Sequence, residues 1–107
     1  MLDAFRVEVQ DSGPDDCQVF VTGELDIATA PDLRMTLYSA VTTYQRISVD
    51  LSNLQFCDCA GLNALIGAVR RAQAHGCDLR LRAVPQVLAR LLRLTHTRGT
   101  FTLETNP

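Results

Sequence analysis

The sequence predicts an α/β domain: one mixed, mostly parallel sheet of four to five strands, opened by an antiparallel hairpin, with helices packed on it in the order ββαβαβαβ. Three observations carry this. Short apolar runs with a period of two take turns along the chain with longer amphipathic runs. After the hairpin, each strand is followed by a helix of about 10 to 15 residues, which demands right-handed crossovers and parallel neighbours. The 107 residues are 47% hydrophobic but only 6% aromatic, with no Trp, so Leu, Val, Ile and Ala must build the core, as when helices pack on a small sheet. A chain of that size makes one domain, residues 1–107, and is too short for a multi-domain enzyme.

Each element has its own signal. Phe5, Val7 and Val9 alternate with Arg6, Glu8 and Gln10, which predicts a strand over Ala4 to Gln10. The turn-rich Asp11 to Asp16 stretch then leads into a second strand, Cys17 to Val21. Helix one should begin at Thr29 as cap, with Asp32 answering three residues on and Pro31 in the first turn, and run to about Thr43. Its inner face is Leu33, Leu37, Ala40 and Val41. Ile47 to Leu51 reads as a short β-branched strand, and a second helix should start near Phe56 to Gly61. Leu62, Leu65, Ile66, Val69 and Ala72 form that helix's buried stripe, and Gly76 supplies its C-terminal cap. Leu79 and Leu81 mark a fourth strand, Pro85 opens a third helix through Leu88, Leu91 and Leu92, and Thr100 to Glu104 is the last strand.

Charge and cysteine content narrow the function classes. All ten cations are Arg, against nine Asp and three Glu, for a net charge of −2. That balance argues against a general nucleic-acid binder, and no aromatics are interleaved with the arginines to stack bases. Residues 1–67 hold three Arg and ten acids, whereas residues 68–107 hold seven Arg and two acids, so the molecule is expected to be a dipole. Apolar runs fall far below the ~18 residues that span a bilayer, and Met1-Leu2-Asp3 begins no signal peptide, so the expected location is cytoplasmic with no membrane partner. The four cysteines, at 17, 57, 59 and 77, read as reduced thiols. A zinc site from Cys57, Cys59, His75 and Cys77 lacks any usual ligand spacing, so neither metal nor cofactor is expected.

No catalytic motif is present. The chain has no G-x-G-x-x-G, no phosphate-binding loop with its Lys and no nucleophile elbow, and its two His both lie at expected helix ends. The chemistry-bearing segment is instead Phe56-Cys57-Asp58-Cys59-Ala60-Gly61-Leu62, a strand-to-helix turn presenting small residues, one carboxylate and free helix N–H groups. Such a turn binds or is modified without catalysing. Its blander role is structural: Asp58 caps the helix, and the small residues let strand and helix approach closely.

Gly23-Glu24-Leu25-Asp26-Ile27, Thr29-Ala30-Pro31-Asp32-Leu33, Val49-Asp50-Leu51-Ser52 and Phe56 to Leu62, in this order and with Leu91-Leu92-Arg93-Leu94-Thr95 at the end, resemble the STAS domain family, specifically bacterial anti-sigma factor antagonists. The match extends over the whole chain. The resemblance implies no catalytic activity and a partner that is at once an anti-sigma factor and a serine kinase of the histidine-kinase-like ATPase fold; binding it frees a sigma factor for transcription. In that family the turn before helix two reads Asp-Ser-Ser-Gly or Asp-Ser-Thr-Gly, and the hydroxyl just before Gly takes the phosphate. Carried across, that position is Ala60, the first Ser is Cys59, the preceding acid is Asp58, and the acid of the second-strand-to-first-helix turn is Asp26. A methyl group accepts no phosphoryl, so the usual switch at this turn is absent.

The resemblance places partner contacts on Asp26, Thr29, Asp58, Cys59, Ala60, Gly61 and Leu62. Cys59 is the candidate redox residue, because a helix N-terminus favours a thiolate, whose oxidation would supply the missing charge. The alternative function is a STAS accessory or regulatory subunit of a transporter or signalling scaffold.

Overall fold

Period-two alternation at the start of the chain builds the hairpin that opens the sheet. In the computed structural model, which describes residues 4–104, β1 (Arg6–Asp11) pairs antiparallel with β2 (Asp16–Leu25), Val9 lying opposite Val19. The Met1-Leu2-Asp3 start lies outside the described residues. Then come α1 (Ala30–Thr43), β3 (Arg46–Cys57), α2 (Cys59–Ala74), β4 (Asp78–Arg82), α3 (Gln86–Leu94), a single 3-10 turn (Arg98–Thr100) and β5 (Thr102–Glu104). The strands lie side by side in chain order, β1-β2-β3-β4-β5, and every pair after the first is parallel. The expected class, order and topology therefore hold, with five strands.

Crossovers of one hand that all step in one direction leave their helices on one face of the sheet. Alternation shows it. Val19 and Val21 of β2, Ile47, Val49 and Leu51 of β3, and Leu79 and Leu81 of β4 join Leu33 and Leu37 of α1, Leu65 of α2, and Leu88 and Leu92 of α3 in one buried cluster. Residues of the other parity, among them Gln18, Ser48, Asp50 and Arg80, stay partly or fully exposed on the opposite face. There Arg46 Nη2 lies 2.6 Å from Asp16 Oδ1, and Arg80 lies 3.0 Å from Asp78. Because spatial order repeats chain order, the acid-rich half lies on the β1 to β3 side and the arginine-rich half on the β4 to β5 side.

β1 spans Arg6 to Asp11 against an expected Ala4 to Gln10, and three later boundaries also differ from expectation. β2 continues past Val21 to Leu25, and β3 runs to Cys57 instead of stopping at Leu51, because β3 carries an extra residue opposite two places in β2. These bulges break the alternation at Ser52-Asn53 while the ladder continues, so the buried positions shift to Leu54 and Cys57. The last strand begins at Thr102, since Arg98 to Thr100 form the 3-10 turn and buried Phe101 anchors the chain behind it.

The α1–α2 contact is close. Arg71 lies 4.6 Å over the Tyr38 ring, and a side chain at Gly67 would meet the Tyr38 hydroxyl at 2.9 Å. Among the described residues, no helix is long and apolar enough to cross a membrane.

Candidate functional site

The prolongation of β2 and β3 brings the two expected docking segments together. Leu25 and Cys57 are opposite each other at the carboxyl ends of adjacent parallel strands, and the Asp58 N–H donates to the Leu25 carbonyl at 3.2 Å. The β2–α1 loop, with Asp26 and Thr29, therefore sits beside the β3–α2 turn, with Asp58 to Leu62. Carboxyl ends of parallel strands are where open α/β sheets place their sites.

Each loop is held by one aspartate oxygen. Asp26 Oδ1 accepts from the backbone N–H of Ala28 at 2.9 Å and of Thr29 at 3.1 Å. The expected capping box is corrected here: Thr29 occupies the N-cap position of α1, but its hydroxyl makes no capping bond and Asp32 does not answer it. Thr29 Oγ1 turns back instead, donating to the Glu24 carbonyl at 2.8 Å and accepting from the Asp26 N–H at 2.9 Å. Asp26, three residues earlier, takes the Thr29 N–H that Asp32 would have answered, and the Asp32 and Leu33 N–H groups donate to the Thr29 carbonyl at 3.1 and 3.4 Å, leaving the hydroxyl to close the loop. In the other turn Asp58 is the N-cap of α2, its Oδ1 accepting from Gly61 N–H at 3.1 Å. The structural role of Asp58 is thus real and coexists with any docking role.

Gly61 is dictated by packing. A Cβ there would fall 2.6 Å from Leu25 Cγ and 2.9 Å from the Leu25 carbonyl oxygen, so only a hydrogen fits between the first turn of α2 and the end of β2. Leu62, which the resemblance put on the docking face and the helical spacing put in the buried stripe, is buried at 3% exposure and presents no surface to a partner; the first helical turn points it into the core. Gly61 is buried as well. Both hold the turn and leave contact to their neighbours. The exposed or half-buried members are Asp26, Thr29, Asp58, Cys59 and Ala60.

Sequence reasoning missed two apolar residues at this edge. Ile27 is 79% exposed in the β2–α1 loop, and Phe56, 40% exposed, is paired across from Glu24. The available signal was an isoleucine between Asp26 and the N-cap Thr29, a loop position with no core to fill.

The cysteines divide by position. Cys57 is buried, and burial, with Asp58 and Cys59 adding to it, pushes its thiol up from 9.0 to about 12. Cys59 is exposed as the first residue of α2. Cys59 and the His75-Gly76-Cys77 segment lie at opposite ends of a helix of 16 residues, about 24 Å apart, so the four residues of the zinc alternative do not converge. Among the described residues no group of His, Cys, Asp and Glu is placed to hold a metal ion.

Comparison with known proteins agrees with this fold. The family profile described as Mlab, STAS domain, matches residues 9–103. The chain is 28% identical over 94 residues to an anti-sigma-B factor antagonist of Listeria monocytogenes, covering 83% of this chain and 79% of that protein. It is 29% identical over 80 residues to the anti-sigma-B factor antagonist of Bacillus subtilis, covering 75% and 73%. Among solved structures, an anti-sigma factor antagonist from Mycobacterium paratuberculosis superimposes with a TM-score of 0.83 at 25% identity, covering 96% of this chain and 87% of the other.

Proposed function

The chain belongs to the STAS domain family, and from that membership and the paired loops we propose that it is an anti-sigma factor antagonist that acts by binding, without catalysis. The observation that carries the reading is the junction at Leu25, where the Asp58 N–H ties the β3–α2 turn to the β2–α1 loop and so forms one edge from Asp26, Ile27, Thr29, Asp58, Cys59 and Ala60. The partner is an anti-sigma factor that is also a serine kinase of the histidine-kinase-like ATPase fold. It docks on this edge and on the adjoining surface of α2, and releases its sigma factor.

Regulation at this edge differs from the family pattern. Ala60, the second residue of α2, stands where the phosphoacceptor hydroxyl would be, and its methyl group forms no phosphoester. The charge of about −1.5 to −2 that would repel the kinase never arrives at this turn. The antagonist is therefore constitutive with respect to that kinase.

The test is a pull-down from host lysate with ATP present, followed by mass spectrometry of the retained proteins and of the bait. A kinase-type anti-sigma factor retained on an unmodified bait is the expected result, and Ala60→Ser should then take up phosphate and lose the partner. Retention of transporter or scaffold components alone would overturn the sigma-factor reading in favour of an accessory subunit. Asp26→Asn tests the edge itself, because it removes charge and keeps an oxygen to hold the loop; unchanged affinity would move docking elsewhere.

A further inference from the structure

On residues the docking edge does not use, a cleft of about 480 Å³ opens beneath α3. Its floor is apolar, from Val84, Ala89, Leu92 and Leu103, and its rim carries Arg93, His96 and Arg98. None of the four ion pairs among the described residues involves Arg93 or Arg98. Arg93 lies in the last turn of α3, where the helix dipole favours a cation, and among the described residues Arg98 has no carboxylate within ion-pair distance.

The way α3 ends adds a second observation. His96 N–H donates to the Arg93 carbonyl at 3.3 Å and Thr97 N–H to the Leu92 carbonyl at 3.0 Å, with His96 left-handed at φ +57°. α2 ends in the same motif, where Gly76 N–H donates to Gln73, Cys77 N–H donates to Ala72, and the left-handed position is a glycine at φ +69°. At α3 the chain accepts a strained imidazole where glycine would sit freely, and that imidazole lines the cleft. Ala83, the other left-handed residue without glycine's freedom among those described, immediately precedes Val84 of the floor.

We propose that this cleft binds a small amphipathic anion, a carboxylate on an unbranched apolar chain, with the chain on the Leu92–Leu103 floor and the carboxylate between Arg93, His96 and Arg98. The volume falls in the range of small-molecule sites, and an apolar floor with a few convergent polar groups is their usual composition. The inference is independent of the docking reading, since a chain that bound no anti-sigma factor would keep the cleft.

Titration of the isotope-labelled protein with sodium decanoate below its micelle concentration, followed by NMR, tests it. Saturable shifts confined to residues 84–103 are expected, with decanol and inorganic phosphate, run separately, binding at least about tenfold more weakly. Arg93→Ala and Arg98→Ala should each weaken decanoate about tenfold, Ala89→Leu should fill the floor and abolish binding, and Arg90→Ala, on the same helix but outside the cleft, should change nothing. His96→Gly should weaken binding while the fold grows more stable, a split that a purely structural histidine would not show. Absence of saturable shifts, decanoate binding indifferent to loss of both arginines, or phosphate binding as tightly as decanoate would each overturn the proposal.

Discussion

Substituting Gly61 by alanine should destabilise the domain and disturb the proposed docking edge from within. The new Cβ would stand 2.6 Å from Leu25 Cγ, 2.9 Å from Leu25 Cδ2 and 2.9 Å from the Leu25 carbonyl oxygen. Leu25 is fully buried, and its carbonyl accepts the Asp58 N–H, so none of these atoms can swing aside cheaply. Overpacking of this kind costs about 2 kcal/mol, and lifting the first turn of α2 off β2 would strain or break the Asp58 bond for about 1 kcal/mol more. Against that, alanine is the better helix former by at most about 1 kcal/mol. The net loss is about 2 kcal/mol, or about 8 °C in Tm for a domain of this size. Urea denaturation with calorimetry measures it, with Gly67→Ala as the comparison, because there the opposing atom is the free end of the Tyr38 side chain. An unchanged or raised Tm for Gly61→Ala would refute the close approach of α2 to β2 and, with it, the joined edge.

The remaining expectations concern the cap, the thiols and the end of α3. Asp58→Ala should lose about 1 kcal/mol of stability by urea midpoint and Asp58→Asn much less, because Asn keeps an oxygen for the Gly61 N–H; equal losses would show that charge, and not the cap, is what matters. Burial pushes Cys57 to about 12 and, with Cys77 and the acids Asp11 and Asp16 adding, Cys17 to about 11, each from an ordinary 9.0. The fold thus prefers the neutral thiols: the stability they contribute is complete below pH 9 and is lost as pH climbs through about 11 and 12. Cys57→Ala should flatten this alkaline decline, and a profile identical to the parent's would refute the assignment. At pH 8 a thiol reagent should modify Cys59 in the native protein and the three buried cysteines only on unfolding; rapid reaction of more than one thiol would contradict the burial. His96→Gly should raise stability by about 0.5 to 1 kcal/mol through relief of the left-handed strain, and a drop in the urea midpoint would mean the imidazole makes a stabilising contact.

Much of this protein was legible in its residues one segment at a time. Alternation at Phe5 to Gln10, the 3.6-residue spacing of Leu33, Leu37, Ala40 and Val41, and the glycine at 76 each report a local geometry that backbone sterics impose within a few bonds. Element order and the parallel class followed because a crossover through a helix can close in only one hand. The place of Ala60 at the family's phosphoacceptor position came from the resemblance of the motifs; side-chain chemistry adds only that a methyl group accepts no phosphoryl.

Contacts between distant segments belonged to the tertiary structure. The bulges of β3 arise from its register against β2, and no periodicity in Ser52 to Cys57 alone announces a ladder that continues. Thr29 and Asp32 carry the signature of a capping box, yet Asp26 takes the bond because the β2–α1 loop folds it onto the same N–H. Helical spacing put Leu62 in the buried stripe of α2 while the resemblance put it among the partner contacts; the first turn of α2 sends it inward, and Ile27, from another loop, is the exposed apolar residue. The cleft under α3 needed Val84, Leu92, Arg98 and Leu103 to converge from four stretches of chain. Local dihedral preference acts between neighbours in sequence and so is written there. Burial, register and convergence depend on which segments share a boundary with water, and only the packed chain decides that.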